Sequence, residues 1–184
     1  KGKEIITDPK GPMNILIEGD NYHALSVLNY THKGKISVIY LDPPYNTGAR
    51  DWKYNNDFVD INDMWRHSKW LSMMSNRLVL AKKLLKKDGV LICAIDENEQ
   101  AHLGVLLEEL FPAHEIICIT IVHNPRGVQG KNFSNTHEYA FFVFRKGMEV
   151  IGSKQRDKIL EEELRDHGGE SLRTDARNCF YPII

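Results

Sequence analysis

The sequence predicts an α/β fold built on a largely parallel sheet. Three observations carry the prediction. Strand-like runs alternate with helix-like segments between Met13 and Lys146, the pattern of β-α-β units. Most of those runs are continuously apolar rather than alternating, as in strands covered on both faces. The chain has 184 residues, 42% hydrophobic and 27% charged, which is enough for one domain with a sizeable core.

The elements follow in order. "MNILIEGD" reads as a first strand. "NYHALSVLNYT" is a helix, with Asp20 or Asn21 placed to cap it. "ISVIYLD" is the second strand. "INDMWRHSKWLSMMSNRLVLAKKLLKKDG" is the longest helix, with Leu71, Met74, Leu78, Ala81 and Leu85 on one face and Gly89 as its stop. "GVLICAID" is the third strand. "ENEQAHLGVLLEELFP" is a helix closed by Pro112. "EIICITIVHN" and "EYAFFVFRK" are strands joined by the polar loop "NPRGVQGKNFSNTH". With no helix between them, they are expected to pair antiparallel at one edge. From Ile151 onward the chain turns charged and reads as a solvated helix leading out of the core.

Composition excludes several classes. A net charge of -1 gives no global field toward nucleic acid or an acidic membrane, so any basic surface is local. Three scattered cysteines, Cys93, Cys118 and Cys179, argue against a disulfide scaffold and for a reducing cytoplasm. Cys93 and Cys118 sit in apolar runs and are expected in the core. The apolar runs are too short to span a bilayer, and no signal peptide opens the chain. The start at Lys1 and the apolar end "FYPII" lead us to expect a piece of a longer protein. The eight histidines show no metal-ligand spacing, so no metal is expected.

The stretch "VIYLDPPYNTG" carries the chemistry. A buried-looking strand ends in an acid, two prolines and an aromatic ring. In open α/β sheets, ligands gather at the carboxyl ends of strands. An exocyclic amine on a nucleobase is a poor nucleophile because its lone pair is spread into the ring. Acceptors on its two N–H groups make that lone pair more available. The Asp42 carboxylate offers one, the Pro43 carbonyl the other, and Pro43 and Pro44 restrict the backbone that holds them. The carboxylate also stabilises charge developing on the nitrogen. Tyr45 offers a face on which a base taken out of the helix can stack.

With these residues the chain resembles the amino-group DNA methyltransferases that carry an Asp-Pro-Pro-Tyr motif. It is most similar to the adenine-specific modification subunits of Type III restriction-modification systems. "ILIEGDNYHAL", "LDPPYNTG", "RHSKWLSMMSNRLVLAKKLLKKDGVLICAIDENEQAHLGVLLEELF", "HEYAFFVFRK" and "GGESLRTDARNCFYPI" carry the resemblance, in that order, from about Asn14 to Ile184. It implies a three-layer, Rossmann-like methyltransferase sheet. The family's Phe-x-Gly-x-Gly cofactor loop does not occur here, so the resemblance covers the catalytic half only. Residues 1–150 are then a partial methyltransferase domain, and residues 151–184 connect toward the missing cofactor-binding and target-recognition parts.

The resemblance further implies S-adenosylmethionine as methyl donor and double-stranded DNA as substrate. A restriction subunit and a second copy of the chain are the partners it allows. Catalysis falls to Asp42, Pro43, Pro44 and Tyr45. Asp20, Asn21 and Asp42 fall beside the cofactor, although a helix cap explains Asp20 equally well. Asn46, Trp52, Tyr54, Asn124, Arg126 and Lys131 are candidates for base or DNA contact. For the two rings, docking on the core is at least as good a reading; for the loop residues, an ordinary surface is nearly so. Lys82, Lys83, Lys86 and Lys87 read as the solvated face of the long helix. The expected product is N6-methyladenine in DNA. The alternatives are N4-cytosine methylation by the same amine chemistry, and an inactive fragment or assembly module.

Overall fold

The computed structural model describes residues 11, 14–55, 57–125, 127–129, 132–150 and 152. The expected helix after Ile151, Cys179, Arg126 and Lys131 lie outside the described residues.

Helix α1 (Asn21–Thr31) leads to strand β1 (Ile36–Leu41). A hairpin follows, β2 (Ala49–Tyr54) with β3 (Asp57–Asp60), then α2 (Arg66–Leu84), β4 (Leu85–Ile95), α3 (Gln100–Leu110) and β5 (His114–Val122). The polar loop folds as a short hairpin, β6 (Val128–Gln129) with β7 (Ser134–Asn135), before β8 (His137–Arg145). The main sheet has the order β1-β4-β8-β5. β1 and β4 run parallel, while β8 runs antiparallel to both β4 and β5. The described sheet is therefore mixed rather than largely parallel. A crossover helix dictates parallel pairing only for β1 and β4; β8 returns through a loop and inserts between β4 and β5.

The core lies on one face of this sheet. Leu91, Cys93 and Ile95 of β4 and Phe141 and Val143 of β8 meet Trp70, Met74, Leu78 and Ala81 of α2 and Leu103 and Leu107 of α3. Each leucine, isoleucine, valine, phenylalanine or methionine among them contributes about 1.5–3 kcal/mol on full burial. The opposite face exposes Val38 and Tyr40 of β1 and Ile117, Ile119 and Ile121 of β5. No second helical layer covers it among the described residues.

Several expectations change. Residues 14–18 form no strand, and Leu16 is 96% exposed; an apolar run becomes a strand only where a ladder partner exists. The long helix begins at Arg66 because Asp60 and Asp63 close turns onto the backbone N–H groups of Asn62 (2.9 Å) and Trp65 (2.8 Å). It ends at Leu84 because Leu85 already pairs with Ile36. Lys86 and Lys87 thus sit in β4. Gly89 is not a helix stop but lies where one residue of β1 faces four of β4, between the pairs Ile36↔Leu85 and Val38↔Val90. A Cβ there would come within 2.8 Å of Leu85 Cδ1 and 3.0 Å of the Ser37 carbonyl. Cys93 is buried as expected, but Cys118, on the edge strand β5, is exposed. No helix among the described residues is long and apolar enough to cross a membrane.

Candidate active site

β1 delivers Asp42 to the carboxyl end of the sheet. The prolines that follow have no N–H to continue the ladder, so the loop must be held by other groups. Two tryptophans hold it. The fully buried Trp70 of α2 donates its indole N–H to the Pro44 carbonyl at 2.7 Å. Trp52 of β2 donates its indole N–H to Asn46 Oδ1 at 3.0 Å. Asn46 itself has φ 61°, in the left-handed region that few residues other than glycine enter. Its amide nitrogen donates to Glu99 Oε1 and lies 3.4 Å from the Arg66 carbonyl.

The loop separates two cavities. One, of about 260 Å³, is lined by Asp42, Pro43 and Pro44 together with Asn21, Met73 and Arg77. The other, of about 460 Å³, begins at Tyr45 and Thr47 and is walled by Asp96, Glu97, Asn124 and Glu138. A third hollow of about 280 Å³ adjoins the first, sharing Asn21, Pro44, Met73 and Arg77 and adding Asp20 and Trp52.

On the first side, Asp20 has two duties. It caps α1 by accepting from the N–H groups of Tyr22 (3.0 Å) and His23 (3.2 Å). It also meets the Arg77 guanidinium at 3.4 Å. The bond from the His23 backbone, with Arg77 adding to it, holds its carboxyl below the usual range. Arg77 donates in addition to Asn21 Oδ1 (2.5 Å) and the Met73 carbonyl (3.0 Å).

On the second side, the Tyr45 hydroxyl donates to Glu138 Oε2 at 3.4 Å. Burial, then the carboxylates of Asp42 and Glu138, push its phenol far up, so the ring stays neutral and its hydroxyl keeps its proton. Burial likewise pushes the Asp96 carboxyl up. This cavity is walled with acceptors, which suits an amino group rather than a phosphate.

The fold thus brings together Asp20, Asn21, Asp42, Pro43, Pro44 and Tyr45, and places Asn124 in the second cavity. It treats three candidates differently. Asn46 is 1% exposed and bonds inward. Trp52 is a core residue with its indole N–H committed to Asn46. Tyr54 packs half-buried against the same core. Both rings lie on β2 of the β2–β3 hairpin.

The sequence reading missed Arg77, Trp70, Glu99 and Glu138. Arg77 left a faint signal, a lone cation between Met74 and Leu78 on the apolar face of α2. Glu99 reads from sequence as an ordinary acid before a helix.

Sequence spacing gave no metal set, yet the fold gathers ligand atoms of His67, Glu99 and His102 within 4.8 Å of one another. Their geometry is that of a hydrogen-bond network. Arg66 Nε donates to His67 Nε2 at 3.1 Å, which leaves the proton on Nδ1, directed at Glu99 Oε1 2.7 Å away. His102 Nδ1 lies 3.1 Å from Glu99 Oε2 but is not aligned to donate to it.

A strand-end acid between two cavities, on a loop of fixed shape, suits transfer of a group from one cavity to a ligand in the other. The family model described as DNA methylase, of the N6/N4 type, matches residues 36–179. The chain belongs to this family. It is 33% identical to the EcoPI Mod subunit of a type III restriction-modification enzyme from Escherichia phage P1, over 88% of this chain and 28% of that protein. It is 32% identical to the type II methyltransferase M.KpnI of Klebsiella pneumoniae, over 90% of this chain and 43% of that one. It therefore spans less than half the length of either relative. The solved structure of M1.HpyAVI in complex with SAM matches with a TM-score of 0.51 at 13% identity, over 77% of this chain and 58% of that one. At that identity the likeness shows the fold, a truncated Rossmann-like α/β methyltransferase sheet.

Proposed function

We propose that this chain is the catalytic half of a DNA methyltransferase that makes N6-methyladenine, with S-adenosylmethionine as the methyl donor. The observation that carries the reading is the loop itself: Asp42, Pro43 and Pro44 line one cavity and Tyr45 the next. The donor fits the first cavity and the adjoining hollow, where Asn21 and the Arg77 guanidinium offer polar contacts and Met73 an apolar wall. The flipped base fits the second, stacked on Tyr45, with its amine directed to Asp42 and the Pro43 carbonyl at the edge of the first.

The chemistry is a direct displacement. The adenine N6 lone pair attacks the methyl carbon, the carbon–sulfur bond breaks, and the sulfur leaves as a thioether. Asp42 accepts from the amine beforehand, stabilises the positive nitrogen, and receives the hydrogen bond along which the surplus proton departs. Alignment of amine and methyl supplies much of the rate. The resemblance of the motif-bearing segments to adenine-specific modification subunits favours adenine, and the larger ring system gains more from stacking on Tyr45.

The restriction-modification names of these relatives favour a restriction subunit and DNA as partners of the whole protein, and the resemblance also allows a second copy of the chain. The cytoplasm is the compartment in which such an enzyme meets its DNA. The test is to digest DNA modified by the full-length protein and identify the methylated nucleoside by mass spectrometry. N4-methylcytosine as the main product would overturn the base assignment and leave the amine mechanism standing.

A further inference from the structure

We propose that Glu99 is a positioning residue for the Asp42–Tyr45 loop and acts on it through Asn46. This inference rests on the catalytic reading of that loop. Among the described residues, Asn46 (1% exposed) and Glu99 (0%) are the two buried polar side chains, and they bond to each other. They are 53 residues apart in sequence. Neither lines the cavity that Tyr45 and Thr47 line, so neither reaches a ligand there.

A buried carboxylate is costly unless paired and hydrogen-bonded. Glu99 Oε1 offsets part of this cost by accepting from Asn46 Nδ2 and His67 Nδ1, while Oε2 is buried without a hydrogen bond. A left-handed backbone at a residue other than glycine persists only where its surroundings hold it. At position 46 a glycine would relieve the backbone but could not make the bonds. The amide is used at both ends: Oδ1 takes the Trp52 indole and Nδ2 gives to Glu99. A pure donor on one side and a carboxylate on the other fix which end is which. The residue after Tyr45 is thereby tied to β2, to α2 through His67 and to the start of α3 through Glu99. Trp70 ties Pro44 from a second direction. The loop is clamped on both sides of Tyr45, which sets where Asp42 and the ring stand relative to each other.

The clamp converges on one oxygen, since Glu99 Oε1 accepts from both Asn46 Nδ2 and His67 Nδ1. Asn46→Asp sets a carboxylate against the Glu99 carboxylate, while Glu99→Gln keeps an oxygen that can accept both bonds and removes only its charge. Together they relieve the repulsion. The new carboxylate at position 46 still accepts from Trp52, and the neutral amide at position 99 can turn its N–H toward it at the cost of the His67 bond. The experiment measures methyl transfer by the full-length protein as wild type, each single variant, the double variant and Asp42→Ala, with kcat, KM for donor and DNA, and Tm for each.

Asn46→Asp should lower kcat about 100-fold, the effect of misplacing a reacting group by about an ångström, with KM little changed. Glu99→Gln should lower it by at most roughly tenfold, because the two bonds keep their acceptor and lose only its charge. The double variant should exceed Asn46→Asp by at least about tenfold. Leu107→Ala, a core change two turns beyond Glu99 in α3, should lower Tm and leave kcat of the folded protein unchanged. If Asn46→Asp does not fold, Glu99→Ala decides: it removes the acceptor of both bonds and must lower kcat more than Glu99→Gln does. Additive losses, or a loss of Tm with kcat intact, would overturn the positioning role. Full activity in Asp42→Ala would instead overturn the catalytic reading of the loop.

Discussion

Trp70→Phe tests how the Asp-Pro-Pro-Tyr loop is held. The indole is fully buried, and its N–H reaches the Pro44 carbonyl at 2.7 Å. Phenylalanine keeps an aromatic ring in the core but has no donor. The net loss of one hydrogen bond is about 1 kcal/mol, and a carbonyl left dry costs about 1–3 kcal/mol instead. The smaller ring leaves a void worth roughly another 1 kcal/mol. The expected destabilisation is therefore about 2–4 kcal/mol, which a domain of ordinary stability survives. Urea unfolding should show the midpoint shifted at unchanged slope. At a temperature where the variant remains folded, kcat for DNA methylation should fall by one to two orders of magnitude, on the order of 100-fold for an ångström of loop movement. The KM for the methyl donor should change little. A variant that loses the predicted stability yet keeps wild-type kcat would show that Pro44 does not need the indole to stand where the chemistry requires it.

Other outcomes follow from the same geometry. Asp42→Ala should abolish methylation while leaving donor binding mostly intact, because Asp42 is assigned to the substrate amine; near wild-type turnover in a tritiated-methyl assay would remove it from that role. This 184-residue chain alone should bind S-adenosylmethionine weakly or not at all, since it carries no Phe-x-Gly-x-Gly loop, and calorimetry giving about -8 kcal/mol, a micromolar affinity, would mean that the cofactor site is complete without that loop. Burial, with the Asp42 charge adding to it, pushes the Cys93 thiol up to about 12. The thiolate is the reactive form, so at pH 8 iodoacetamide should label the exposed Cys118 and leave Cys93 untouched until the protein unfolds; mass spectrometry showing equal native labelling would refute the burial of Cys93.

Much of this was legible in the sequence because it is local. The helices over 21–31 and 100–110, the strand before Asp42 and the cap at Asp20 follow from periodicity and capping chemistry over a few residues. What was not legible depends on partners far along the chain. The run at 14–18 has strand composition but no ladder partner among the described residues. β8 inserts between β4 and β5, a choice no local pattern encodes. The network around Glu99 joins residues 46, 52, 67 and 99; the sequence marks Asn46 and Trp52 as candidates for substrate contact, and no local pattern links them to His67 or Glu99.

Helix α2 shows why such sites escape a pattern reading. Its apolar stripe runs through Trp70, Met74, Leu78 and Ala81, and periodicity reads that stripe as core and nothing more. Trp70, Met73 or Met74, and Arg77 lie three, four and seven residues apart, so they share one face over two turns. The first holds the Pro44 carbonyl, the methionines wall the cavity beside Asp42, and Arg77 binds Asp20 and Asn21 at its far side. One face therefore both packs the domain and lines the cavity beneath the loop. Two members of that face end in N–H groups, and those are the groups that a stripe of hydrophobic positions leaves unexplained. In a helix packed beside a strand-end acid, a tryptophan and an arginine seven residues apart on the apolar face are the sequence signal that the face serves a site as well as a core.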